Sequence, residues 1–506
     1  MTGKTYSLVI ISSEFSPCAK TGGLGDMVAA FAGGLKRNGH DVHVVVPLYR
    51  QVREHLMELH TALPSMGVPM GTGEVWCAVH CKVTDENVPL YFIEHEAFFH
   101  RTGFYHDQQY QEYPDNPLRF GFFCKAALQL AIDLDLSPDI VQSNDWQTAL
   151  APAYLKTWFR EHPSLGACAS MLTIHNASYQ GIFSAAHHQW LGLPSYDLLP
   201  DIFADYGGIS FLKAGIHYAD VVSTVSPTYA REIKASVEGP GLAPAILKKG
   251  ERFRGILNGV DYDTWSPEKD TLIPARYCAE DMSGKIRCKL DLQGQFHLEK
   301  NEKIALIGFI GRLTRQKGVE LLKAAVERIV TNMVVQVVIL GSGDREFERY
   351  FGNLPLRYPG RIGAYIGFHD EMAHIIEAGA DLFVMPSLFE PCGLNQMYSL
   401  RYGTLPIVRA TGGLDDTVEN YDEATGDGTG FKFRDNTADA LYYTVGWAVS
   451  TYYDRPDHFH MLQERGMKQD FSWNRSIAEY ECLIEMALEV KHKGAGNSRG
   501  GRPHAC

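Results

Sequence analysis

The chain is short of the features that mark membrane, secreted and metal-dependent proteins. No apolar run reaches the ~18–20 residues of a membrane span. The first apolar segment starts within a few residues of Met1, so no signal or transit peptide is expected and the reading is a cytoplasmic protein. The ten cysteines are scattered. The closest pair, Cys77 and Cys81, lies in an alternating segment (EVWCAVHCKV) with no second pair at zinc-site spacing. A disulfide framework is not expected in a chain of 506 residues. A basic surplus is also missing: the net charge is −13, which argues against a general nucleic-acid or anionic-membrane surface. Any anionic ligand must then be held by a local cluster of Lys and Arg. No His-Glu-x-x-His or Cys/His cluster occurs, and Gly3-Lys4-Thr5 lacks the upstream glycine of a phosphate-binding Walker loop. Gly22-Gly23-Leu24-Gly25 is not the G-x-G-x-x-G of dinucleotide binders. Neither a metal nor a cofactor is expected.

What is present is an ordinary globular mixture, 45% hydrophobic and 21% charged, in a chain too long for one core. Apolar strand-like runs alternate with helical patterns through both halves, which predicts two doubly wound α/β domains. The first run, Tyr6 to Ser12, leads into Lys20-Thr-Gly-Gly-Leu-Gly-Asp26 and then a helix. Glycines there admit close backbone approach, helix-start N–H groups suit an anion, and Lys20 adds a point charge. Two further runs end in polar clusters, Asn144-Asp145-Trp146-Gln147 and His175-Asn176 through Gly181. In open parallel sheets ligands bind past the carboxyl ends of strands. The segment from His95 to Asn116 is long, aromatic and polar, as ligand-facing loops are. In the second half, Arg312 and Lys317 flank a glycine turn, a placement suited to a diphosphate leaving group. Glu390 directly follows a strand, in a tight turn with Pro391, Cys392 and Gly393. Each feature alone is also what a cap or a solvated loop looks like. Residues and spacing by themselves reach two α/β domains with anion-binding turns and stop there.

Taken together, these segments resemble the bacterial glycogen synthases and plant starch synthases, retaining GT-B glycosyltransferases. The motifs that carry the resemblance are KTGGLGD, NDW, HNASYQG, SFLKAG, SPTYAREI, NGVDYDTWSP, GRLTRQKG, PSLFEPCGLNQ and YGTLPIVRATGGLDD, in family order from about residue 6 to 475. The resemblance implies a GT-B architecture, two Rossmann-like domains facing a deep interdomain cleft. The expected limits are 1–260 for the acceptor-side domain and 261–475 for the donor-side domain. A C-terminal helix over 476–492 is expected to cross back to the first domain, and a disordered tail to fill 493–506. It further implies transfer of glucose from ADP-glucose to the non-reducing end of an α-1,4-glucan, without a metal. Glu390, Asp145, His175, Lys317 and Arg312 match the family's catalytic positions. Lys20, Gly22, Gly23, Asp26, Asn258, Tyr105, Trp146, Asn176, Ser387, Cys392, Gly393, Leu394 and Asn395 match substrate-binding ones. Two departures stand out. Asn395 occupies a position where many relatives carry Thr, and Tyr398 stands where the wider GT-B class has a second glutamate. The alternatives are a plastidial starch synthase of the same chemistry and a catalytically silent glucan-binding protein.

Overall fold

The computed structural model describes residues 4–55, 59–71, 73–109, 111–194, 202–205, 207–235 and 239–498. The chain divides into two compact units. One comprises the residues up to Val225, Ala230–Gly259 and those from Trp473 on; the other comprises Ser226–Tyr229 and Val260–Ser472. Among the described residues no helix is long and apolar enough to cross a membrane.

The first unit is built on β1 (Ser7–Ile11), β2 (Asp41–Pro47), β3 (His60–Met70), β4 (Gly73–Val83), β5 (Pro89–Glu94), β6 (Ile140–Asn144) and β7 (Ala169–Ile174). The short β8 (Ile182–Phe183), β9 (Ala204–Asp205) and β10 (Gly208–Ser210) form a separate antiparallel sheet, and β11 (Val221–Thr224) and β12 (Phe253–Gly255) return to the main one. The main sheet has nine strands in the order β12-β11-β7-β6-β1-β2-β5-β4-β3. It is parallel from β12 to β5, and β4 and β3 extend it antiparallel. Leu8, Val9, Ile10 and Ile11 are all buried, as an unbroken apolar run covered on both faces requires. The strand order reverses between β1 and β6, and the chain segments leaving these two strands diverge there. This is the topological switch point where ligands of open α/β sheets bind.

The second unit repeats the plan with β13 (Ala305–Ile310), β14 (Val335–Gly341), β15 (Ile362–Ile366), β16 (Leu382–Met385), β17 (Leu405–Arg409) and β18 (Phe431–Phe433), in the order β15-β14-β13-β16-β17-β18, all parallel. Side chains alternate across it: Ala305, Ile307 and Phe309 enter one core with the helices Val319–Asn332 and Ala438–Asp454. Leu306, on the opposite face of the same strand, enters another with Leu292 and Ile376. Period-two alternation between two apolar cores makes the sheet a middle layer. Its switch point lies between β13 and β16.

Several elements differ from the sequence expectation. The C-terminal helix spans Trp473–Ser498, so the expected disordered tail is helical over its first residues; positions 499–506 lie outside the described residues. That helix packs on the first helix, Gly23–Arg37, where Tyr480 meets Phe31 at a ring separation of 4.7 Å. The helix Phe211–Tyr218 starts directly after β10: Ser210 ends the strand and its hydroxyl caps the helix, accepting from the Lys213 N–H at 3.2 Å. Ser226–Tyr229 belongs to the second unit, where the Thr228 N–H and hydroxyl both donate to the Asp416 carboxylate, at 2.8 and 2.6 Å.

Candidate active site

Each unit carries a polar cluster at its own switch point. In the first unit, β1 runs out at Ile11 and the chain turns through Ser12–Ala19 into the glycine-rich stretch. Lys20 and Asp26 pair across that stretch at 2.7 Å, and both side chains stay about two-fifths exposed. Gly22 and Gly23 lie at the helix opening, exposed. The turn is held from below by Glu14, which the sequence reading missed. Its carboxylate accepts from the Thr21 N–H (2.7 Å), the Thr21 hydroxyl (2.6 Å), the Gly22 N–H (3.2 Å) and the Tyr105 hydroxyl (2.7 Å). Tyr105 is thus placed by Glu14 and by Ser13, 2.8 Å away. An apolar-to-polar step at the end of β1 was the only signal for Glu14.

Next to β1, β6 ends in Asn144 and Asp145. Asp145 sits at φ +54°, in the left-handed region that non-glycine residues seldom occupy. Its carboxylate accepts from the backbone N–H of His175 at 2.6 Å and of Asn176 at 3.3 Å. The ends of β6 and β7 are joined in this way. Burial pushes the Asp145 carboxyl up to about 7, and the two amides and the Glu14 charge only modify that shift. The His175 ring lies 3.0 Å from Asn144 Oδ1 through Nε2, and burial lowers its basicity to about 3. The ring is therefore neutral at physiological pH, able to hydrogen-bond but not to carry charge. Asn258 keeps a buried Oδ1 with no partner among the described residues. The Trp146 indole is buried against Phe120, Tyr105 and Phe183. A cavity of about 620 Å³ opens beside the glycine-rich turn, with Cys18, Lys20 and Thr21 on one side and Thr102, Tyr105 and His106 on the other.

In the second unit the loops leaving β13 and β16 meet. Lys317 Nζ lies 2.6 Å from Glu390 Oε2, and the Ser387 hydroxyl donates to the same oxygen at 3.0 Å. Close backbone packing fixes this pair. Gly318 (φ +68°) stands so near the Pro386 carbonyl that a Cβ would come within 1.8 Å of its oxygen, and Gly412 (φ +45°) similarly abuts the Glu390 carbonyl at 2.0 Å. The Leu388 N–H donates to the Gln316 carbonyl at 2.8 Å, stitching the loops together. Arg312 is exposed, its guanidinium 3.5 Å from Gln316 Oε1. Gly393 and Leu394 present backbone N–H groups that have no acceptor among the described residues. Cys392 is buried. Asn395 donates through Nδ2 to the Ile310 carbonyl at 3.2 Å, tying its helix to the end of β13. Phe368, just past β15 on the same carboxyl edge, is 83% exposed and was not foreseen. Among the described residues no three His, Cys, Asp or Glu groups cluster to hold a metal.

Chemically, the second unit offers two cations and free amides for phosphate oxygens, beside a carboxylate that accepts hydroxyl protons. The first offers a titrating carboxyl, a neutral imidazole and a polar cavity. Residues 7–248 match the family model of the starch synthase catalytic domain, and residues 293–460 that of glycosyl transferases group 1. The chain is 43% identical over 490 residues to glycogen synthase 1 of Geobacter metallireducens, covering 96% of this chain and 97% of that one. It is 40% identical over 486 residues to glycogen synthase of Thermotoga maritima, covering 95% and 99%. Among solved structures, the catalytic domain of starch synthase IV from Arabidopsis thaliana, bound to ADP and acarbose, superposes with a TM-score of 0.87. It is 32% identical, with 96% of this chain and all of that chain covered. A sucrose-phosphate synthase from Thermosynechococcus elongatus shares the fold at a TM-score of 0.59 and 16% identity. Matched along nearly its whole length to these relatives, the chain belongs to the glycogen and starch synthase family of GT-B glycosyltransferases.

Proposed function

We propose that this glycosyltransferase elongates an α-1,4-glucan by transferring glucose, with retention, from ADP-glucose to the 4-hydroxyl at the non-reducing end. The observation that carries this reading is the Lys317–Glu390–Ser387 cluster at the β13/β16 switch point. A nucleoside diphosphate leaving group gains negative charge as its bond to the sugar breaks. Preorganised cations and amides aimed at that charge lower the barrier. Lys317 and Arg312 take the diphosphate, with the Gly393 and Leu394 amides beside them, and Glu390 orients the glucosyl hydroxyls. The exposed Phe368 ring offers a flat face to the nucleotide base.

In the reaction the bond from C1 of glucose to the β-phosphate oxygen breaks and a bond from C1 to the acceptor O4 forms on the same face. The acceptor proton passes to the departing phosphate, and ADP is released. Asp145, when ionised, balances positive charge developing at C1, and neutral His175 holds a glucosyl hydroxyl. Lys20, Gly22, Gly23, Asp26 and Asn258 complete the donor-sugar surroundings. The acceptor chain occupies the cavity beside the glycine-rich turn, whose wall mixes an aromatic ring with hydroxyls, as sugar subsites do. That the Arabidopsis starch synthase domain is bound to ADP and acarbose supports this assignment.

Initial rates with glycogen as acceptor, comparing ADP-glucose with UDP-glucose in the presence of EDTA, test the proposal. The expected result is turnover of ADP-glucose that EDTA leaves unchanged. A preference for UDP-glucose would overturn the donor assignment, and EDTA-sensitive turnover the metal-free chemistry.

A further inference from the structure

Glu14 lies behind the cavity of the first unit rather than in it. It is only 3% exposed, yet its two oxygens are met by four donors. Three belong to the glycine-rich turn, the Thr21 N–H, the Thr21 hydroxyl and the Gly22 N–H. The fourth is the Tyr105 hydroxyl, from a loop 91 residues away in the chain. One wall of the cavity contains Lys20 and Thr21, and the other contains Thr102, Tyr105 and His106. A buried carboxylate that accepts from four donors on two segments is a rigid junction, because each bond it loses leaves acceptor capacity unmet out of water. Beyond Glu14, the loop from His100 to Asp115 is tied down at its ends: Arg101 pairs with Asp115 at 2.5 Å, and the Asn116 amide donates to the Tyr105 carbonyl at 2.9 Å. Tyr105 is the point at which that loop touches the turn's carboxylate.

We propose that Glu14 is a positioning residue that makes the glycine-rich turn and the aromatic loop one mechanical body, so that the acceptor wall and the Lys20 wall are set together. The proposal deepens the acceptor assignment above and rests on it for its kinetic consequence. A change at Tyr105, on the aromatic side, must then be felt at Thr21 and Gly22, on the turn side. Loss of the Tyr105 hydroxyl removes one of four donors and loosens the remaining three.

The test is a cycle of Tyr105→Phe, Glu14→Gln and the double variant, read in two ways. Hydrogen exchange on the peptide covering residues 13–26 reports the Thr21 and Gly22 amides directly, without reference to activity. Steady-state kinetics with maltooligosaccharide acceptors report KM for donor and acceptor separately. In Tyr105→Phe the amides of the turn are expected to exchange at least fivefold faster. KM for ADP-glucose is expected to rise along with KM for the acceptor, although Tyr105 sits on the acceptor wall. In the Glu14→Gln background, Tyr105→Phe adds little further to either. Turn amides that exchange at the wild-type rate in Tyr105→Phe, or variant effects that simply multiply, would overturn the junction. Coupled exchange with no turnover of ADP-glucose in the wild-type enzyme would instead leave the junction standing and overturn the acceptor reading. Glu14→Gln keeps an acceptor oxygen for the turn amides, so a folded protein with an unchanged melting temperature is the control for both readouts.

Discussion

Replacing Lys317 is the sharpest single perturbation of the donor half. Its side chain is 22% exposed and that of Glu390 only 7%, so the pair sits in a partly desolvated pocket where charge on a leaving group is strongly felt. Removing one preorganised donor to a developing oxyanion costs about 2–4 kcal/mol, which is roughly 30- to 1,000-fold in rate at ~1.36 kcal/mol per decade. A second effect runs through stability. Without the ammonium, the Glu390 carboxylate retains, among the described residues, the Ser387 hydroxyl at 3.0 Å. Breaking a fully buried pair costs about 3–5 kcal/mol and an exposed one less than about 1. For this intermediate case about 1–3 kcal/mol is expected, a melting-temperature drop of several degrees. The two effects separate in the variant Lys317→Met combined with Glu390→Gln, which removes both charges: stability returns while catalysis does not. Single-turnover rapid quench with labelled ADP-glucose at saturating enzyme isolates the chemical step. A Lys317→Met rate within threefold of wild type, or recovery of the rate in the double variant, would refute the leaving-group assignment.

Three further outcomes follow from the geometry. The Asp145 carboxyl is raised from 3.8 to about 7; in the proposed reaction it acts ionised, so kcat/KM should rise with pH through an inflection near 7. Asp145→Asn should be slow and lack that inflection. The same shift makes the folded state bind a proton more tightly than the unfolded one. This group's contribution to stability is therefore greatest below about 4 and falls as pH rises towards 7, a slope that thermal melts of Asp145→Asn should lack. Gly318→Ala puts a Cβ against the Pro386 carbonyl in a left-handed backbone worth about 1–2 kcal/mol of strain by itself; lower melting temperature and weaker ADP binding by calorimetry are expected together. Phe368→Ala should raise KM for ADP-glucose severalfold with kcat nearly unchanged, since an exposed platform contributes equally to ground and transition states; an unchanged KM would remove Phe368 from the donor site.

Much of the site was legible because its residues follow strands. Apolar runs such as DIVQS and DLFVM are unmistakable, and the polar residues after them fall at the carboxyl edge once the sheet is parallel. Arg312, Lys317 and Glu390 could be singled out by that logic, and the family motifs suggested the roles proposed for them. Glu14 was scarcely legible: the polar step after β1 marks its place, but its significance rests on donors 7, 8 and 91 residues away. Strand β3 escaped notice for a different reason. His60–Met70 carries Pro64 and Pro69, which argue against a strand, and they are tolerated because β3 is an edge strand bonded only to β4, with irregular register between Thr61 and Met66. The glycine-rich composition after Lys493 pointed to disorder, whereas the helix from Trp473 carries through Gly494 and Gly496 to Ser498. Asn395 matched a substrate-binding position of the family; its amide also braces the helix against β13.

The central claim is retaining transfer from ADP-glucose to the non-reducing end of an α-1,4-glucan. It is tested most directly by incubating the enzyme with ADP-glucose and maltotetraose and determining the product's linkage by proton NMR. The account predicts maltopentaose with a new α-1,4 bond at the non-reducing terminus, formed in step with ADP. A β-linked product, or hydrolysis of ADP-glucose to free glucose with the maltotetraose unchanged, would contradict it.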